Sequence, residues 1–302
     1  MPTLVSETYH KMGSIMENFE YFEPKTVQEA CALLAKFENA KVLAGGASLV
    51  VLLKNKLIFP DELVNLKTIV GLDRIDLSPE GELSIGALCR HRDIENSPVV
   101  QERFQILAQA ASSIASLPIR NMGTIGGNVC HAEPSADFPP ALIALGATLK
   151  ITGSKQSRSI PIADFFKDYF ENVLEPDEIL TEIRIPPLPS SSGGSYLKLN
   201  KTTNSAAIVG VGAVISLDEK GKCVYAGLGV GGAASTPLAI KDIAMMVGKT
   251  ITSSMIEVVA SAAVKQCEPI SDVHATAAYR REMVGVLTRR AMTQALEKAQ
   301  KK

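Results

Sequence analysis

The glycine-rich segment from Arg120 to Asp137 constrains this chain of 302 residues more than any other part of its sequence. It begins RNMGTIGGN and continues through VCHAEPSA to the carboxylate of Asp137. Glycine is a poor helix former, so three glycines in nine residues predict that the segment is not an ordinary helix. A bare backbone beside a hydroxyl and an amide suits close contact with an anionic ligand such as a pyrophosphate.

A second glycine turn, in the sequence VLAGGASL, follows a short apolar run. We predict a strand over Lys41–Ala44, a turn at Gly45 and Gly46, and a helix over Leu49–Leu53. This order of strand, turn and helix aims unpaired backbone N–H groups at a bound anion. Either turn alone would favour a simple tight bend, but two such turns in one chain indicate a nucleotide cofactor.

The composition argues against several other classes of protein. The net charge of −1 gives no reason to expect a nucleic acid or an anionic membrane as a partner. Aromatic residues make up only 5% of the chain, which is unfavourable for stacking single-stranded nucleic acid. No apolar run approaches the roughly 20 residues that span a bilayer, and residues 1–16 lack the apolar core of a secretory signal. We therefore expect a cytoplasmic protein without a membrane span.

The cysteines are scattered and include no Cys-x-x-Cys pair. This pattern predicts buried thiols rather than disulfides or ligands of zinc or an iron–sulfur cluster. His131 has no second ligand at metal-binding spacing, so we interpret it as a hydrogen-bonding residue near the site. The basic pairs Arg280-Arg281 and Arg289-Arg290 are typical of a solvated or intersubunit helix face.

Alternating and helical apolar patterns predict a mixed α+β fold. The predicted strands span residues 19–22, 62–66, 82–88, 147–152, 196–200, 208–217 and 223–230. The predicted helices include one capped by Thr26, a short one over residues 90–95, a long one from Pro98 to its end at Pro118, and others over residues 141–145, 254–266 and 276–298. The stretch PPLPSSSGG, from Pro186, predicts a domain boundary. The later stretch GLGVGGAAS lacks the full spacing of a dinucleotide fingerprint, so we interpret it as packing at a strand end.

Several pieces of the chain together resemble the FAD-binding medium subunit of molybdenum hydroxylases, a family related to carbon monoxide dehydrogenase, xanthine dehydrogenase and glyceraldehyde oxidoreductase. The matching pieces are AGGASLVVLLKNKL, IGALCRHRDI, PIRNMGTIGGNVCHAEPSADFPPALIALGA, EILTEIRIP and YRREMVGVLTRRA. The resemblance implies an N-terminal extension at 1–16, a two-subdomain PCMH-type FAD domain at 17–187, a linker at 188–194, and a smaller sheet-plus-helices domain at 195–298.

The resemblance also implies which residues bind FAD. Leu43, Ala44, Gly45, Gly46, Ala47, Ser48 and Leu49 form the first pyrophosphate loop, and Thr124, Gly126, Gly127 and Asn128 form the second. Ile125 is expected near the isoalloxazine, and Asp137 near the ribityl chain or ribose, although it also suits a helix cap. Leu180 and Ile114 align with apolar cofactor contacts, and Lys198 with a lysine near the polar edge of the flavin. Without the resemblance, Lys198 would be interpreted as a solvated charge.

The family's activity implies an electron-transfer role for this oxidoreductase subunit, with no catalytic or metal-binding residue expected in the chain. Electrons would arrive from [2Fe–2S] clusters on a small subunit, after oxidation of substrate at a molybdenum cofactor on a large molybdopterin-binding subunit, and would leave to an external acceptor. The expected assembly is a dimer of heterotrimers. Two alternatives are a free-standing FAD oxidoreductase, in which Cys130 or His131 could attach the flavin, and a flavin-free adapter.

The sequence also departs from the family pattern. Some relatives place an aromatic residue over the flavin face after the YLKLN strand, where this chain has TTNS at residues 202–205. Tyr196, Tyr279 or a neighbouring subunit are the candidates for that role. The chain also lacks the cysteine-rich insertion of the benzoyl-CoA-type reductases, which argues against that branch.

Overall fold

The structure is a computed structural model that describes residues 19–301. The predicted extension at residues 1–16 lies outside the described residues. The first subdomain is a small parallel sheet with its connecting helices. Its elements in chain order are β1 (Glu20–Phe22), α1 (Val27–Lys36), β2 (Ala40–Leu43), α2 (Leu49–Lys54) and β3 (Glu62–Asn65). The strands lie in the order β1-β3-β2.

The predicted cap of α1 is confirmed. Thr26 accepts a hydrogen bond from the backbone N–H of Glu29 at 3.1 Å, and the Glu29 carboxylate accepts one from the Lys25 N–H at 2.7 Å. The first bond satisfies a donor that the first turn of the helix leaves unpaired, and the second holds the residue that precedes the cap. The predicted helix after the first glycine turn is also present as α2.

An antiparallel sheet covered by short helices forms the second subdomain. Its strands are β4 (Ile75–Leu77), β5 (Leu83–Gly86), β6 (Thr148–Thr152), β7 (Ser157–Pro161) and β10 (Ile179–Ile185), with a separate hairpin of β8 (Phe166–Asp168) and β9 (Glu171–Asn172). Its helices are α3 (His91–Asn96), α4 (Pro98–Arg103), α5 (Gln105–Ser113), α6 (Leu117–Met122), α7 (Ile125–His131) and α8 (Phe138–Ala144). The sheet order is β4-β5-β10-β6-β7.

Two predictions for this region are wrong. The long helix from Pro98 is broken at Phe104, whose backbone (φ −128°, ψ 46°) is not helical, and Pro118 lies in the first turn of α6 instead of ending a helix. Proline is tolerated there because the first N–H groups of a helix have no acceptor within it. The glycine segment also forms helix α7. Thr124 caps it, and Gly126 allows it to pack closely against Ala87.

The C-terminal domain is an antiparallel sheet backed by two long helices. Its elements are β11 (Ser192–Leu199), β12 (Val209–Leu217), β13 (Cys223–Gly231), β14 (Leu238–Ala239), α9 (Ser253–Gln266) and α10 (Ala277–Gln300), and the strand order is β11-β12-β13-β14. The last residues of the predicted linker, from Ser192, already belong to β11.

Glycines on β12 and β13 allow α8 of the second subdomain to pack directly on this sheet. A Cβ on Gly229 would lie 2.2 Å from the Pro140 carbonyl oxygen, and one on Gly227 would lie 2.0 Å from that of Ala144. The packing role predicted for GLGVGGAAS is therefore confirmed, and the two domains share a close interface.

The cysteines are all unpaired thiols, as predicted, and most are buried. Burial raises the pKa of the Cys130 thiol to about 12, so this sulfur is a poor nucleophile near neutral pH. Within residues 19–301, no helix is both long enough and apolar enough to cross a bilayer.

Candidate functional site

A cavity of about 930 Å³ lies where the two subdomains meet the C-terminal domain. Its walls come from the first glycine turn, from the segment between α6 and α8, and from β11 and the loop after it. Its volume is at the upper end of the range for ligand pockets, roughly 300–1,000 Å³. All of the predicted cofactor contacts line it except Leu43 and Ile125. Ile125 is fully buried in the large core, so its side chain does not form a wall of the cavity.

The first glycine turn brings the two subdomains together. A Cβ on Gly45 would lie 2.2 Å from the carbonyl oxygen of Met122 and 2.8 Å from Cα of Gly123, so only glycine allows the two segments to touch. Gly46 has φ +82°, a left-handed conformation that favours glycine. The backbone N–H groups of residues 46–49 donate no hydrogen bond to any other described residue. They are therefore available to a ligand.

The second glycine segment differs from a simple backbone cradle. The N–H of Gly126 donates to the Ala87 carbonyl oxygen at 2.9 Å, and the N–H of Gly127 donates to the Thr124 hydroxyl at 3.2 Å. These donors are therefore already used within the protein. Asn128 Oδ1 is buried and has no hydrogen-bond partner among the described residues, although Asn128 lines the cavity. This segment therefore offers a ligand mainly side-chain polar groups, because its backbone N–H donors are already used.

A buried ion pair forms the opposite wall. Lys198 Nζ donates to Asp137 Oδ2 at 3.0 Å and to the Ser113 carbonyl oxygen at 2.9 Å. The Tyr196 hydroxyl donates to Asp137 Oδ1 at 2.6 Å. Only 6% of the Lys198 side chain and 7% of the Asp137 side chain are exposed. Asp137 is the residue before α8, but its side chain makes no capping hydrogen bond. Its structural partners are therefore Tyr196 and Lys198.

The pKa of Asp137 reflects opposing effects. Burial raises it, and the charge of Lys198 and the hydrogen bonds from Tyr196 and Lys198 oppose this rise. The pKa of Tyr196 is raised well above its usual value, first by burial and then by the Asp137 charge. The tyrosine is therefore a neutral hydrogen-bond donor. Tyr196 is buried behind Asp137, so it does not cover a ligand in the cavity.

The cavity is also lined by residues that were not among the predicted contacts, and His91 and Phe170 are two of them. His91 is buried, its Nδ1 has no partner among the described residues, and burial followed by the charge of Arg120 lowers its pKa to about 4. Its imidazole is therefore neutral. Phe170, at the turn between β8 and β9, also lines the cavity. No spacing in the sequence marked either residue.

The prediction for Arg280 is wrong. Its side chain is buried and donates to the carbonyl oxygens of Ile208 and Gly232 and to the carboxylate of Asp272 at 2.6 Å. Partial burial pushes the pKa of Asp272 upward, but hydrogen bonds from Arg280 and nearby backbone N–H groups together lower it to about 2. Arg280 thus joins three segments at the edge of the cavity instead of facing solvent.

The expected hydrogen-bonding role of His131 has no hydrogen bond to support it among the described residues. Its ring instead lies 5.2 Å from that of Phe170, centroid to centroid. Tyr279 does not line the cavity. Within residues 19–301, no group of three or more His, Cys, Asp or Glu side chains is arranged to hold a metal ion.

Comparisons with known proteins account for nearly the whole chain. The FAD binding domain of molybdopterin dehydrogenase matches residues 17–188, and the CO dehydrogenase flavoprotein C-terminal domain matches residues 194–295. The 6-hydroxypseudooxynicotine dehydrogenase complex subunit alpha of Paenarthrobacter nicotinovorans is 34% identical over 284 residues, which is 93% of this chain and 96% of that relative. The carbon monoxide dehydrogenase medium chain of Afipia carboxidovorans is 34% identical over 285 residues, 93% of this chain and 98% of its own.

Solved structures agree with this assignment. Carbon monoxide dehydrogenase from Hydrogenophaga pseudoflava matches with a TM-score of 0.90 and 34% identity, over 94% of this chain and 99% of the other. Quinoline 2-oxidoreductase from Pseudomonas putida matches with a TM-score of 0.85 and 31% identity, over 94% and 99%. The chain therefore belongs to the family of FAD-binding medium subunits of the molybdenum hydroxylases.

Proposed function

We propose that this chain is the electron-exit subunit of a molybdenum hydroxylase, which takes electrons from the [2Fe–2S] clusters of a partner subunit and passes them to an external acceptor. The observation that carries the proposal is the meeting of both glycine segments and the buried Asp137–Lys198 pair around one cavity. When bound, FAD supplies the redox chemistry, since its ring system accepts and releases electrons.

The residues of the cavity fit FAD. The unpaired N–H groups of residues 46–49 offer donors to a pyrophosphate, and such neutral dipoles can stabilise an anion although residues 43–49 contain no lysine or arginine. The unpartnered Asn128 Oδ1 offers an acceptor. Leu180 and Ile114 add apolar surface.

The ion pair has a different task. Asp137 would accept hydrogen bonds from the ribityl or ribose hydroxyls, although both of its oxygens already have donors. Lys198 has three N–H donors, two of which are used within the protein. We assign its third donor to the polar edge of the flavin, where a positive charge stabilises the negative charge that reduction adds.

We also infer that a large molybdopterin-binding subunit and a small [2Fe–2S] subunit complete the enzyme, arranged as a dimer of heterotrimers. The names of the relatives support this, because they are described as medium chains or as a subunit of a dehydrogenase complex.

Purification of the native complex, followed by release and chromatography of its flavin, tests the proposal. We expect FAD together with both partner subunits. FAD on a chain that purifies alone would favour the free-standing oxidoreductase, and partner subunits without FAD would favour the adapter. FMN in place of FAD would contradict the cofactor assignment. Yellow colour in an acid precipitate would indicate covalent attachment, which the raised pKa of the Cys130 thiol disfavours.

A further inference from the structure

Among the described residues that line the cavity, Phe170 is the only Phe, Tyr or Trp. The other ring-bearing walls are histidines, and the rest of the lining is aliphatic, small or polar. Phe170 leaves 55% of its surface exposed, so its ring is accessible from the cavity. The cavity therefore presents a single aromatic surface to its ligand.

The backbone of Phe170 is strained in a way that presents this ring. Its φ of +56° lies in the left-handed region, which residues with bulky side chains seldom adopt. Such conformations persist only where the surroundings hold them, and they are concentrated at functional sites. Gly or Asn would relieve the strain in the β8–β9 turn, yet a phenylalanine occupies it.

Hydrogen bonds hold this turn against the glycine segment. The N–H of Phe170 donates to the Ala132 carbonyl oxygen at 3.1 Å, and Asn172 Nδ2 donates to the Cys130 carbonyl oxygen at 2.8 Å. Ala132, which ends α7, is itself left-handed with φ +51°. The hairpin is thereby fixed to the C-terminal end of α7, whose N-terminal end contributes Thr124 to the same cavity.

The ring of Phe170 is also supported from one side. The His131 ring lies 5.2 Å away at an interplanar angle of 55°, and burial lowers the pKa of His131, which favours the neutral imidazole. Tyr169, the preceding residue, is exposed too but does not line the cavity. The hairpin therefore directs one of its two adjacent aromatic residues to the ligand space.

We propose that Phe170 stacks against one of the two planar rings of FAD, with His131 and the β8–β9 hairpin as its rigid support. This inference rests on the proposed binding of FAD in the cavity. If the isoalloxazine is the partner, this chain's own hairpin supplies the aromatic contact that is missing from residues 202–205. Both candidate rings, the adenine and the isoalloxazine, present a planar aromatic face on which Phe170 can stack, and the experiment below distinguishes them.

Titration of the flavin-free full-length chain with FAD, ADP and FMN tests the proposal. Stacking of a base on an aromatic side chain contributes enough that Phe170→Leu should weaken FAD binding about tenfold. Phe170→Tyr should retain the wild-type affinity. If adenine is the partner, Phe170→Leu weakens ADP binding and spares FMN, and the opposite holds for the isoalloxazine, with a change in flavin fluorescence and visible circular dichroism.

Tyr169→Leu is the matched control, since it removes the neighbouring exposed aromatic residue of the same turn, which does not line the cavity. It should leave FAD affinity unchanged. Equal FAD affinity for wild type and Phe170→Leu overturns the proposal, as does an equal loss in Tyr169→Leu, which would indicate a general effect on the hairpin. Unchanged FAD affinity with weaker association of partner subunits would assign Phe170 to an interface and also overturn it. A wild-type chain that binds no FAD would instead refute the proposed function.

Discussion

The hydrogen bond from Tyr196 to Asp137 provides a sensitive test of the buried ion pair. Tyr196→Phe removes a donor from a buried carboxylate, and hydrogen bonds to charged groups contribute about 1.5–3 kcal/mol to stability. Tyr225→Phe is the matched control, because the Tyr225 hydroxyl donates to the neutral Ala144 carbonyl oxygen at 2.8 Å and Tyr225 does not line the cavity. Loss of that neutral bond should cost only about 0.5–1.5 kcal/mol.

The effect of Tyr196→Phe should depend on pH. The pKa of Asp137 is raised in the folded chain, so its ionisation weakens stability as the pH rises from the ordinary value of 3.8 through the folded pKa. The Tyr196 hydroxyl opposes that rise. Its removal raises the pKa of Asp137 further, so the destabilisation should be larger at about pH 8 than at about pH 4.5. Tyr225→Phe should cost the same free energy at both values.

Urea unfolding of the flavin-free full-length chain, at both pH values and with linear extrapolation, measures these differences. The quantity compared is the change in the free energy of unfolding for each variant relative to wild type. Equal losses for the two tyrosine variants, or a Tyr196→Phe loss that does not vary with pH, would refute an ionised Asp137 in the folded protein.

Three further substitutions separate the joining of the subdomains from the binding of FAD. Gly45→Ala should destabilise the flavin-free chain by about 1–3 kcal/mol in urea unfolding, because its Cβ meets the Met122 backbone at 2.2 Å; unchanged stability would show that the two segments can move apart. Gly127→Val should leave the flavin-free chain folded, since a Cβ there meets only the Thr124 hydroxyl at 3.0 Å. It should nevertheless abolish FAD binding in a fluorescence titration, because the added side chain blocks close approach of the ligand, and wild-type affinity would exclude such an approach at Gly127. Arg280→Met should lower the free energy of unfolding by roughly 2–3 kcal/mol, because buried carbonyl oxygens lose their donor, and a loss below that of a surface substitution would contradict the joining role.

The periodic parts of the fold could be predicted from the sequence because local patterns determine them. The Thr26 cap and the helix after the first glycine turn are examples, and both are present. The helix over Ile125–His131 was missed because glycine's low propensity is a local effect, whereas the packing of Gly126 against Ala87 depends on the tertiary structure. The break at Phe104 was missed for a similar reason. Its ring is buried in the large core, and no breaker residue marks the position.

The functional site likewise contains some residues that local motifs reveal and others that only tertiary contacts bring to the cavity. The glycine segments, Asp137 and Lys198 could be placed from their motifs, and the structure brings them to one cavity. The partners that set their chemistry could not be found in this way. Tyr196 donates to a residue 59 positions away, and Phe170 reaches the cavity through a left-handed turn that its own residue type disfavours. Long-range contacts and backbone strain leave no periodic signal in a sequence.

The glycines of the motif thus serve two different physical purposes that a sequence pattern cannot separate. Gly45 and Gly126 make room for other parts of the protein, since a Cβ on either would meet backbone atoms of a neighbouring segment. Gly127 instead leaves its space open toward the cavity. The cavity exists because segments from two subdomains can touch at Gly45, so binding of FAD depends on that contact even where glycine does not meet the ligand. It follows that Gly45→Ala should weaken FAD binding and stability together, whereas Gly127→Val should affect FAD binding alone, and the same loss of stability in both variants would show that all of these glycines are structural.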